Sequence, residues 1–115
     1  MIKTVTLYRT VGPAEAKLIE ASGWRSFPPR LPEQPIFYPV TNEAYAIQIA
    51  RDWNVPASGS GYATHFTVNE AYVSRFPKKV VGNKTHEELW GPADELEAFN
   101  AHILGPIEVI HSFEK

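Results

Sequence analysis

The chain contains no cysteine, which excludes disulfide scaffolds, thiolate zinc sites, iron–sulfur clusters and thiol nucleophiles. It also lacks an excess of charge: eleven Lys and Arg face thirteen Asp and Glu, for a net charge of -2. A surface that coats DNA or RNA needs a marked basic excess, so nucleic acid is not an expected partner. No long apolar run occurs, so neither a signal peptide nor a membrane span is expected, and the expected location is the cytoplasm. GxGxxG, Walker, HExxH and GxSxG patterns are missing. His65, His86, His102 and His111 are scattered without metal-ligand spacing, so no metal is expected.

What remains is an ordinary globular composition, 43% apolar and 21% charged over 115 residues. Residues 1–115 are read as a single domain, long enough to bury about two thirds of its unfolded surface. Ten prolines are spread along it, beside three Trp, five Tyr and six Phe. The prolines mark element edges.

Thr4 to Arg9 alternates β-formers and reads as a strand. Gly12-Pro13 opens a helix that Gly23 stops. Four prolines between Phe27 and Pro35 force an extended loop, and Ile36 to Val40 is a short strand made irregular by Pro39. Thr41 or Asn42 caps the next helix. Its Ala46, Ile49, Ala50 and Trp53 form one apolar stripe.

A turn over Ala57–Gly61 and a strand from Tyr62 to Val68 follow. Asn69 then caps a short helix. Lys78–Val81 and Glu87–Trp90 read as two strands joined by a Gly82-Asn83 turn. A helix begins at Pro92 with Leu96, Phe99 and Ile103 on one face, and a last strand runs from Pro106 to Phe113. The fold class is α+β, with about six short strands and three to four helices.

Several polar groups are placed where chemistry can be done. Arg9 follows Tyr8 at a strand end, where a guanidinium can hold a phosphate or ribose oxygen with several donors. An arginine in a structural ion pair is the plainer reading. Phe37 and Tyr38 are adjacent on a strand and so point to opposite faces, one free to pack and one to line a cleft. Glu87 and Glu88 alternate in the same way, so only one can enter a given pocket. The two PxxP runs between Pro29 and Pro35 are read as a loop laid over the fold rather than as an SH3-type ligand.

The order of these elements resembles the ADP-ribosyltransferase fold: Arg on the first strand, an aromatic motif on a middle strand, a glutamate late. The whole chain also resembles a small bacterial family named ADP-ribosylation/J-crystallin. The stretches that carry the likeness are Leu7-Tyr8-Arg9, Pro32 to Tyr38, Glu88 to Ala93, Glu95 to Asn100 and Ile103 to Ile110. The J-crystallin half of the name belongs to large, mostly helical proteins with acidic metal motifs. This short chain has only Asp52 and Asp94, so the transferase half is the one that fits. The likeness departs from the pattern in having no Ser-Thr-Ser triplet. His86-Glu87-Glu88 is a loose match to a Glu-x-Glu loop.

The resemblance implies a split antiparallel or mixed sheet and NAD as substrate, with the nicotinamide–ribose bond broken. Cleavage develops an oxocarbenium-like ribose that a carboxylate stabilises. The implied catalytic residues are Glu88, with Glu87 as fallback, Arg9 on ribose or phosphate, and Tyr38 stacked on nicotinamide. Tyr8, Phe37, Thr41 and Tyr45 complete the implied NAD pocket, and the acceptor is unspecified. The alternative is a non-catalytic member of the same fold, acting as a binding module for a protein partner. Convergence of Arg9, Tyr38 and a glutamate on one pocket separates the two. A third option is an RNA-modifying relative of the 2′-phosphotransferases, to which only Lys78, Lys79 and Lys84 lend support.

Overall fold

A computed structural model describes residues 3–28, 36–37, 39–80 and 87–114. The architecture is α+β, as the element pattern predicts. Strand β1 (Thr4–Val11) leads through Gly12 into helix α1 (Pro13–Ala21), with proline at its start. Strand β2 (Ile36–Phe37) precedes α2 (Glu43–Ile49). The Asn42 side chain caps α2 by accepting from the Tyr45 N–H at 3.2 Å.

The helix then widens into a π turn (Ala50–Asn54) and closes with α3 (Val55–Ser58). Val55 N–H reaches back to the Ala50 carbonyl. Pro56 next in line has no N–H to offer and its ring crowds the preceding turn, conditions that favour a wider winding. Gly59, with φ of +86°, ends this segment in the left-handed conformation that glycine tolerates.

Strand β3 (Ser60–Asn69) runs into α4 (Glu70–Val73), capped by Asn69 accepting from the Tyr72 N–H at 3.0 Å. Strands β4 (Lys78–Val80) and β5 (Glu87–Leu89) pair antiparallel. Strand β6 (Gly91–Pro92) pairs with β2. A 3₁₀ turn (Ala93–Glu95) opens α5 (Leu96–Ala101), and β7 (Ile103–Glu114) closes the fold. The expected Gly82-Asn83 turn and proline-rich loop fall at 81–86 and 29–35, outside the described residues.

The central sheet has the order β1-β3-β7, all antiparallel, with Tyr8 opposite His65 and Ala63 opposite His111. Val40 extends it on the other side of β1 through single-residue bridges to Tyr8 and Glu88. Side-chain alternation divides the sheet into two faces. Leu7, Val11, Phe66 and Val68 join Phe27, Phe37 and Phe99 in an aromatic core against α1 and α5. Val40, Ala46, Ala50 and Ala63 form a smaller seam under α2 and the π turn.

One expectation fails here: Trp53 is 71% exposed rather than part of the apolar stripe. The π turn advances each residue by a smaller angle than an α-helix, so Trp53 rotates away from the sheet. On the other face, Tyr72 is buried, stacks on His102 at 3.9 Å and donates to Glu95 at 3.1 Å. Burial, then the bond to Glu95, pushes its phenol up to about 12. No helix among the described residues is long and apolar enough to cross a membrane.

Candidate functional site

Arg9 and Tyr8 are neighbours on β1 and therefore point to opposite faces. Arg9 enters the aromatic core and is only 7% exposed. Its Nε lies 3.1 Å from Glu15 Oε2 and its terminal nitrogen 3.0 Å from the same oxygen. The guanidinium carbon also sits 4.6 Å from the centre of the Phe37 ring, a cation–π contact. The tight Gly12-Pro13 start of α1 folds Glu15 back over β1. In the first turn of a helix that carboxylate is favoured in its own right. Arg9, expected to hold NAD, is thus held inside the core by Glu15.

Phe37 is also corrected from its expected place in the NAD pocket. It is 2% exposed and packs on Phe27 and Phe99 at ring-centre distances of 5.3 and 5.1 Å. Tyr38 lies outside the described residues.

Three other candidates share the opposite face, and two of them touch. Tyr8 and Tyr45 both pack against the alanine seam. Tyr45 donates its hydroxyl to Glu88 Oε2 at 2.7 Å. Trp90 Nε1 donates to the other carboxylate oxygen at 3.0 Å. Both oxygens are engaged, yet each carboxylate oxygen has a second lone pair to offer. Burial first, then the bond to Glu88, pushes the Tyr45 phenol from 10.0 to about 12. Tyr45 is therefore a proton donor in a hydrogen bond at neutral pH and not a base.

Glu87 points the other way, as strand alternation predicts. Its Oε1 accepts from Thr41 Oγ1 at 2.9 Å, and its backbone carbonyl accepts from the Thr41 N–H at 3.2 Å. Both residues border a cleft of about 250 Å³. Thr41 therefore does line a cleft, on the side away from Glu88.

The sequence reading missed Glu15 and Trp90. Glu15 carries a signal in hindsight, since a Gly-Pro turn two residues upstream returns the chain over its strand. Trp90 stands two residues after Glu88, which strand alternation places on the same side. Among the described residues no group of His, Asp and Glu has metal-ligand geometry. His65 and His111 instead pair with Glu108 and Glu43 at 3.1 and 3.0 Å. No protein family, curated protein or solved structure matches the chain.

Proposed function

We infer that the chain is a non-catalytic binding module of ADP-ribosyltransferase-like arrangement, with a protein as its partner. The observation that carries this reading is the separation of Arg9 from Glu88 by the thickness of the sheet. Cleavage of the nicotinamide–ribose bond needs the carboxylate and the ribose or phosphate anchor within reach of one ligand. Arg9 meets Glu15 instead, in a part-buried pair that would have to open before the guanidinium could reach a ligand.

The test is nicotinamide release from millimolar NAD, followed chromatographically, for the wild type and Glu88→Gln. The expected result is no release above the protein-free rate for either. Release that disappears in Glu88→Gln overturns the reading.

A second reading is favoured by the Tyr45–Glu88 hydrogen bond on the face that Tyr8 shares. In that reading the chain is an NAD glycohydrolase or transferase whose Glu88 accepts a ribose hydroxyl and stabilises the developing cation. Tyr45 positions the carboxylate, Tyr8 borders the ligand and Arg9 is structural. The same release assay decides between the two.

A further inference from the structure

The sheet is interrupted beside β1. At Tyr8 three backbone segments run side by side. Val40 exchanges both its backbone hydrogen bonds with Tyr8, at 2.8 and 2.7 Å. On its other side Thr41 N–H meets the Glu87 carbonyl at 3.2 Å, and Leu89 N–H meets the Pro39 carbonyl at 2.8 Å. The middle segment then ends, because the Asn42 cap draws the chain away into α2. Where the middle segment ends, Thr41 borders a cleft of about 250 Å³ that Thr6, Leu7 and Glu87 also line.

The polarity of this cleft follows from its construction. Neighbouring strands lie about 4.8 Å apart, so one extended backbone, that of Val40, separates β1 from β5 where the two bridges meet. Tyr8 turns its N–H and C=O toward Val40. In an antiparallel strand alternate residues turn theirs to the same side, so Thr6 presents both groups to the cleft. Among the described residues no strand pairs with β1 on that side apart from Val40.

The interior is apolar, formed by Val5, Leu7, Val73 and Leu89. Two carboxylates, Glu70 and Glu87, stand at its border against one ammonium, Lys78.

We propose that this cleft accepts an extended peptide segment of a partner protein as an added strand, hydrogen-bonded to Thr6. The proposal rests on the reading of the chain as a binding module. Successive residues of an extended peptide alternate in direction, so two positions apart face the same way. The favoured segment carries a β-branched residue over Val73 and Leu89, and a lysine or arginine two positions along for Glu70 and Glu87. Backbone bonds supply the attachment and these two side chains the selectivity, as in other strand-addition complexes.

The probe is the acetylated, amidated peptide Thr-Val-Thr-Lys-Thr, titrated to millimolar concentration while backbone amides are followed by NMR. In the free protein the Thr6 amide exchanges rapidly with solvent. Saturating peptide slows it at least about tenfold, the mark of a new backbone hydrogen bond. Replacing the peptide's lysine with glutamate, or Glu70 with lysine, weakens binding about tenfold in each case. Combining the glutamate peptide with Glu70→Lys restores it.

Slow Thr6 exchange in the free protein overturns the proposal. So does absence of binding, binding that leaves Thr6 exchange unchanged, or equal affinity for the glutamate peptide. NAD cleavage sinks the binding-module reading through a separate assay and leaves the Thr6 measurement to stand on its own.

Discussion

The two faces of the sheet solve the packing problem in opposite ways. On one face, rings bridge the distance between elements: Phe27 meets Phe66 edge-on at 4.9 Å, and Phe37 meets Phe99 at 5.1 Å. On the other, Ala46, Ala50 and Ala63 are fully buried and let helix backbone approach strand backbone. The difference decides where charge can reside. Aromatic rings offer an electron-rich face to a guanidinium, so the ring-built side encloses Arg9 with Glu15. The alanine side has no such space, and its polar network of Tyr45, Glu88 and Trp90 sits at the margin.

Removing volume should therefore hurt the first face most, and adding it the second. Phe66→Ala deletes a ring that touches both Phe27 and Phe99. A loss of about 4 kcal/mol in urea unfolding is expected. A loss under about 1 kcal/mol would mean that the aromatic face repacks freely.

Glu15→Ala comes next. It leaves the Arg9 guanidinium buried without its carboxylate, at an expected cost of about 3 kcal/mol. The double variant Arg9→Met with Glu15→Leu should recover most of it, because the charge and its partner leave together. If the double variant is no better than the single one, the pair is not what holds Arg9 in the core.

Gly61→Ala probes the alanine face. An added Cβ would stand against the Ala50 carbonyl and only 2.8 Å from the Asn54 Cβ. The strand or the π turn must then move, for about 2 kcal/mol. A silent Gly61→Ala would show that β3 and the π turn have room to separate at Gly61.

The smallest effect concerns Tyr45. Its pKa is raised from 10.0 to about 12 in the folded protein, so the stability it contributes is complete below pH 10 and lost as pH climbs toward 12. Tyr45→Phe should cost about 1 kcal/mol at neutral pH. It should also flatten the alkaline decline measured between those two pH values. Tyr72, raised in the same direction, contributes to the decline that remains.

Much of this architecture could be read along the chain. The caps at Asn42 and Asn69, the proline start of α1 and the antiparallel β4–β5 pair all stand where local signals put them. So does the opposite orientation of Glu87 and Glu88. The candidate site was legible only in fragments. Glu88, Tyr45 and Tyr8 share a face, while Arg9 and Phe37 went to the core on the other side. A strand-end arginine looks the same in sequence whether it awaits a phosphate or an internal carboxylate.

Contacts within a few residues fix the helix starts, the caps, the side-chain alternation and the apolar segments, and all of these follow from local sequence. Docking between distant segments settled the rest. It bonded Thr64 to the Arg9 carbonyl across more than fifty residues, and it set the π turn on Gly61. It also left Val40 as a one-residue strand next to a cleft that Thr41 borders. The reason is that such pairings repay the entropy of closing long loops only when many elements dock together. No local pattern records which carboxylate, carbonyl or strand edge will then lie opposite.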